Sequence, residues 1–224
     1  MRNDRTRKIL KAFLVNPQVK FEYPVTAIST PTKSLIALIN MEQLDEEEKD
    51  YNPSFGIIKT DVLLNILDSI EGADIEMTNT DIVIKNDKVK QKIRKSPANI
   101  FMEIKKESVN LVENTFDVIN ELTLDEETLE DILRRAKLLG HDTLIIQENK
   151  IITGRKNGNE LEDESETFVQ TEKDGKIILN IIDVLKLPLI DYKVKVFTNK
   201  DISLVIMYPM DYPEVKVILS EKLS

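Results

Sequence analysis

Few side chains in this sequence have the type and spacing for covalent chemistry. The 224 residues hold no cysteine and one histidine, so disulfides, thiolate chemistry and a Cys/His metal cluster are excluded. That histidine, His141, follows Gly140 at a helix-stop position, where a surface turn residue is expected rather than a base. There is no P-loop and no G-x-G-x-x-G run, and six glycines leave few of the close backbone approaches that nucleotide sites use. The run Asp45-Glu46-Glu47-Glu48 could hold a hard cation. It lacks the spaced carboxylates and turn glycine of a calcium loop, and reads as solvated loop. No cofactor and no metal are expected. Carboxylates brought together only by folding stay open, so an unmotifed hydrolase is one alternative.

The other chemistry available is charge. The net charge of −9 argues against nucleic acid as a partner, but a whole-chain sum says nothing about where the charges sit. Arg2, Arg5, Arg7, Lys8 and Lys11 crowd the first helix-like segment, while acid gathers in Glu42–Asp50 and Glu160–Glu166, both of loop character. At 100° per residue, Ile9, Leu10, Phe13 and Leu14 form one face of a helix over Asn3–Leu14. Lys8 and Lys11 then point away from it, with Arg5 and Arg7 on the flanks. In a second helix, Leu129, Ile132, Leu133 and Ala136 form the stripe, Arg134 faces away, and Arg135 and Lys137 flank it. In a further basic run, Lys85–Lys95, Lys88, Lys90, Lys92 and Arg94 alternate with Val89, Gln91 and Ile93 as on a strand with one buried face, and could bind phosphate or form the wet side of a sheet. Such lysines also protect an exposed sheet edge from unwanted pairing.

The elements that must position these cations occur twice. Thr60–Leu67 resembles Ile182–Leu189, Met77–Ile84 resembles Phe197–Leu204, and Lys8–Lys11 resembles Asp131–Arg134, at offsets of 122, 120 and 123 residues. Three matches in one order at nearly one spacing indicate a duplicated domain. Each copy starts with an amphipathic helix, Asn3–Leu14 or Leu124–Leu139. The second carries a capping box, Thr123 with Glu126, and a stop at Gly140. Strands are expected at Val19–Tyr23, Ile28–Leu38, Thr143–Gln147 and Lys150–Thr153. Short helices follow at Asp61–Ile70 and Ile181–Leu187. Hairpins come last: Asp74–Thr78, Asp81–Lys85 and Lys88–Arg94, then Lys193–Thr198, Ile202–Tyr208 and Val215–Ser220, with Asn79 and Asn199 at the tips. The expected division is 1–106, a linker at 107–115, and 116–224. No apolar h-region opens the chain and no apolar run approaches a bilayer span, so a soluble protein is expected.

This order of elements, with cationic helix faces on an acidic chain, resembles the DNA sliding clamps. It looks closest to the trimeric clamps of tailed bacteriophages and is more distantly similar to proliferating cell nuclear antigen. The segments carrying the resemblance are Phe116–Ile119, Leu129–Leu139, Asp142–Ile146, Leu185–Pro188 and Asp191–Val194. The first helix follows almost directly on Met1, without the opening strand of the nuclear-antigen clamps, and the chain lacks their Ala-Pro peptide-binding segment. The resemblance implies an α+β DNA clamp fold, two similar domains with two helices each on antiparallel sheets. It further implies a homotrimeric ring around duplex DNA, a DNA polymerase and a clamp loader as partners, no catalysis, no membrane, and the cytoplasm of a host cell. The DNA-facing residues would be Arg5, Arg7, Lys8, Lys11, Arg134, Arg135, Lys137 and Lys186. A partner-peptide pocket would draw on Val109, Leu111, Val112, Ile218 and Leu219, and the subunit edges on Ile100–Lys105 and Glu166–Thr171. The other alternative is a non-clamp interaction or structural protein built from a duplicated α+β domain.

Overall fold

The computed structural model describes residues 4–43, 54–70, 74–101, 106–158 and 160–222. The chain divides into two compact units, Met1–Ile28 with Leu38–Ile104, and Ser29–Ala37 with Lys105–Ser224. Helices are few and the strands pair antiparallel, the α+β architecture expected. Among the described residues, no helix is long and apolar enough to cross a membrane.

The first unit opens with α1 (Asp4–Ala12), which buries Ile9 and Leu10 completely, as it does Phe13 just beyond its end. Strands β1 (Val19–Phe21), β2 (Val25–Ser29), β3 (Leu35–Asn40) and β4 (Phe55–Ile57) follow, in spatial order β4-β1-β2-β3. Helix α2 (Thr60–Ser69) packs on α1 and buries Leu63, Leu64 and Leu67. A second sheet, in order β5-β6-β7, is made by β5 (Asp74–Met77), β6 (Asp81–Lys85) and β7 (Lys90–Arg94). Apolar spacing on the helices thus meets the inner rows of the strands, and Ile28, Ile39, Ile82 and Ile84 complete the core. Gly56 is required by close approach, because a Cβ there would lie 1.7 Å from the Phe101 ring.

The second unit starts with α3 (Lys106–Thr115) and continues into β8 (Asp117–Leu124) and α4 (Glu126–Leu139). Next come β9 (Thr143–Gln147), β10 (Lys150–Asn157) and β11 (Glu160–Phe168), then β12 (Ile177–Asn180) and the short α5 (Ile181–Val184). The unit closes with β13 (Tyr192–Thr198), β14 (Ser203–Pro209) and β15 (Val215–Ser220). One sheet runs β15-β14-β13-β8 and another runs β11-β10-β9-β12. Ser29–Ala37 belongs to this unit, and there the start of β3 lies along β15, with Ser220 N–H donating to the Ser34 carbonyl at 2.9 Å. Leu129, Ile132 and Ala136 of α4 are buried with Leu144, Ile146, Leu179, Val194, Val205 and Leu219.

Several expectations change. The strand expected over Ile28–Leu38 is a hairpin, β2 turning into β3 at Thr30–Ser34. Thr30 bonds Leu35 across the turn and Lys33 takes a left-handed φ of 59°, so Pro31 sits where a strand cannot continue. The cap of α4 is Asp125 rather than Thr123. The Asp125 carboxylate accepts from Thr128 N–H at 2.7 Å, and that backbone bond holds its carboxyl below the usual range. Gly140 ends the helix in the left-handed region as expected, at φ 67°. The acidic stretch Glu160–Glu166 is a strand, not a loop. The join expected to lack regular structure is helical, α3. β7 has no buried face, since only Ile93 is half-buried. His141 is buried instead of lying on a surface turn, with Nδ1 3.0 Å from Thr153 Oγ1. At the hairpin tips, Asn199 accepts from Asp201 and Ile202 N–H, whereas Thr78 rather than Asn79 bonds the first hairpin, taking Asp81 N–H.

Candidate nucleic-acid interface

Burying the apolar stripe of α1 leaves its other side to water. Arg5, Lys8 and Lys11 are exposed there and Arg7 is half-buried. Two of the four are turned toward α2: Lys11 pairs with Asp68 and Arg7 donates to the Leu67 carbonyl at 3.3 Å. Lys8 makes no ion pair among the described residues.

On α4, the exposed residues divide along the helix. Glu126, Glu127 and Glu130 occupy the first half, while Arg134 and Lys137 occupy the second, with Leu138 three-quarters exposed beside them. Acids in the first turn and a cation in the last complement the helix dipole. The solvent face of α4 is therefore basic only toward its C-terminus. Arg134 bonds Asp131 at 2.7 Å. Arg135 is committed elsewhere: its guanidinium donates to Ser165 Oγ at 2.8 Å and to Thr167 Oγ1, and pairs with Asp131 at 2.9 Å, bracing β11 against the helix. Lys137 has no ion pair among the described residues. Lys186, just past α5, is exposed and pairs with buried Asp183 at 3.3 Å. The eight cations expected to face DNA thus include six on exposed surface, and two, Arg7 and Arg135, whose polar atoms hold the fold.

The apolar residues assigned to a partner pocket separate likewise. Leu111 of α3 is exposed, Val112 and Ile218 are half-buried, and Leu219 is a core residue; the side chain of Val109 lies outside the described residues. The contact that seats α3 has no signature in the sequence. Glu113 accepts from the Tyr208 hydroxyl at 2.7 Å and from Lys216 Nζ at 2.7 and 2.8 Å. Burial first, and then Glu113, push the Tyr208 phenol well above its ordinary range. No periodicity signals such a pair, because its members lie 95 and 103 residues apart. Among the described residues there is no cluster of metal-ligating side chains.

The backbone course has solved counterparts. The DNA polymerase sliding clamp of Bacillus subtilis superposes with a TM-score of 0.67 at 12% identity, over 99% of this chain and 63% of that one. The fold is that of the DNA sliding clamps. Proliferating cellular nuclear antigen of Entamoeba histolytica gives 0.62 at 14% identity, over 98% of this chain and 94% of that one. Its counterpart from Thermococcus kodakaraensis gives 0.61 at 12%, with 97% and 94% covered. The chain spans about three-fifths of the length of the bacterial clamps it matches and nearly the full length of the nuclear-antigen clamps. No protein-family profile and no curated sequence matches it. At these identities the clamp likeness is one of fold.

Proposed function

We propose that this chain is a sliding clamp subunit, without catalytic activity, that closes with copies of itself into a ring around duplex DNA and tethers a DNA polymerase. The observation that carries the reading is the clamp fold itself over 97–99% of the chain, with exposed cations on α1, α4 and just past α5. Three subunits would follow from the resemblance to the trimeric phage clamps; a phage protein would work in the host cytoplasm. The linker between the two domains would be 107–115.

The physics suits sliding. A tether that moves must neither read bases nor hold one phosphate tightly, and dispersed Lys and Arg give a sequence-independent, salt-sensitive attraction. Arg5, Lys8, Lys11, Arg134, Lys137 and Lys186 would supply it. Topology then retains the ring. Partner peptides, from polymerase and clamp loader, would dock beside α3, where Leu111 is exposed.

Threading tests this without a loader. Concentrated protein is incubated with a linear duplex, both ends are blocked with a bulky plug, and retention is followed in high salt. A ring is trapped by the plugs and fails to mount a duplex plugged beforehand. Equal retention on both would end the clamp reading and favour an ordinary DNA-binding protein. No retention on either, with a monomer at high micromolar concentration, would favour a structural or interaction protein.

A further inference from the structure

Within the second unit, the chain that follows β11 runs back along β8, the last strand of its sheet. Glu172 N–H donates to the Glu121 carbonyl at 3.0 Å, and Thr171 bridges Leu122. In an antiparallel ladder the backbone groups of residues two apart point the same way. The N–H and C=O of Thr123 therefore point, like those of Glu121, toward the returning segment, and they find no hydrogen-bond partner among the described residues. Phe168–Gln170 diverge at this point, with Val169 N–H turning to the Asn149 carbonyl at 2.9 Å. The two stretches of chain fork around a cavity of about 450 Å³, closed at one end by the start of α4.

The lining of this fork suits a cation carried on a carbon stem. Glu172 is exposed and in no ion pair among the described residues. Asp125 gives one carboxylate oxygen to Thr128 N–H at 2.7 Å and keeps the other free. Lys193, the cation lining the cavity, is already paired with Glu121 at 2.6 Å. The uncompensated charge is therefore negative. Phe168 forms another wall and is 75% exposed, an aromatic face that a cation and its methylenes would cover.

We propose that this fork seats one residue of an extended, basic segment of a partner protein. The segment's main chain bonds the open backbone groups of Thr123. Its arginine or lysine lies across the Phe168 ring and reaches Glu172 and the free oxygen of Asp125. Main-chain bonds give such a contact affinity, and the side-chain pocket gives it selectivity. Arginine is the better occupant, because its planar, weakly hydrated guanidinium stacks on a ring and can bond a carboxylate through two N–H groups. The same acids repel phosphate, so the occupant is protein and not DNA. The site stands apart from the ring reading, since all its residues lie in the second unit. It also stands apart from α3, which rests on β14 and β15 rather than at the β8 edge.

Titration of the ¹⁵N-labelled full chain with the capped tripeptides Val-Arg-Val, Val-Lys-Val and Val-Leu-Val, followed by TROSY spectra at low salt, tests this. Saturable shifts are expected at Thr123, Asp125, Gln170 and Glu172, with arginine ahead of lysine and leucine weaker by roughly fivefold or more. Glu172→Gln should weaken Val-Arg-Val by roughly threefold or more, and Glu172→Lys should abolish its binding. Phe168→Ala should also weaken it, with circular dichroism confirming that each variant is folded. Equal binding of the three tripeptides, or unchanged binding by folded Glu172→Lys, overturns the pocket. Arginine amide binding as tightly as the tripeptide overturns the extended segment. The same shifts on concentrating the chain alone, lost in Glu172→Lys, would give the fork to a second copy and overturn the partner assignment. None of these outcomes alters the threading result, so the two readings fail separately.

Discussion

Replacing Lys8 and Lys137 with alanine removes two exposed helix cations that make no ion pair among the described residues. Each phosphate neutralised adds about 0.9 to the slope of log binding constant against log salt. In a ring of three chains these are six lysines, two per copy. With between half and all of them at the duplex, their loss should flatten the slope by about 3 to 5. Over a fourfold rise in salt, that is the difference between shedding an extra factor of about 60 or about 1,000 in affinity and not shedding it. Fluorescence anisotropy of a labelled linear duplex between about 50 and 200 mM salt reads the slope directly. Lys200→Ala, at the exposed tip between β13 and β14, serves as the control and should leave the slope alone. A double variant that self-associates normally and keeps a slope within about one unit of wild type would show that these helices do not face DNA.

Asp125→Ala should destabilise the protein by about 1 kcal/mol in urea, while Thr123→Ala should cost under about 0.5, because Asp125 and Asp191, and not Thr123, accept the first N–H groups of α4. Gly56→Ala drives a methyl into the Phe101 ring and should cost about 1–3 kcal/mol by the same measurement, with much of it recovered when Phe101→Leu is added. Glu113→Gln removes the charge that helps keep Tyr208 protonated, so Tyr208 should ionise at lower pH in an ultraviolet titration. In the wild type, the folded state holds this proton after the unfolded chain has lost it near pH 10, so stability falls as pH rises above that value. Glu113→Gln should reduce that loss, and an unchanged titration would mean α3 does not rest on Tyr208.

The helices were legible because burial of one stripe imposes a 3.6-residue period that nothing else in the chain imitates. Ile9, Leu10 and Phe13, and Leu129, Ile132 and Ala136, are buried as that period requires. Strand ends depended on local turn chemistry. Pro31 within Ile28–Leu38 was the visible sign of the β2–β3 turn, and the apolar residues on both sides hid it. β11 was missed for the opposite reason. Its alternating glutamates have the period of two read on Lys88–Arg94, but with scarcely an apolar residue in the window the run passes for solvated loop. Helix faces could be assigned to solvent from sequence, but the partners of the cations on them could not. Asp68 for Lys11 and Ser165 for Arg135 come from other elements. Glu113 with Tyr208 and Lys216 is wholly a product of the fold.

If α4 faces the duplex, as proposed, its mixed face suits sliding better than a uniformly basic one would. Glu127 and Glu130 sit exposed on the helix that carries Arg134 and Lys137, so a phosphate attracted at one end meets repulsion within two turns. Glu127, in the first turn, also complements the helix dipole, but Glu130 lies a turn further in, where a surface built for tight DNA binding could carry alanine or lysine at no cost in helix propensity. A surface that must let the duplex pass gains from them, because they shorten the residence of any one phosphate. Glu127→Gln with Glu130→Gln should therefore tighten duplex binding at low salt while slowing movement along it. Single-molecule tracking of labelled protein on stretched DNA reads the diffusion coefficient, which should fall. A variant that binds more tightly and diffuses as fast as wild type would show that the acids only cap the helix dipole.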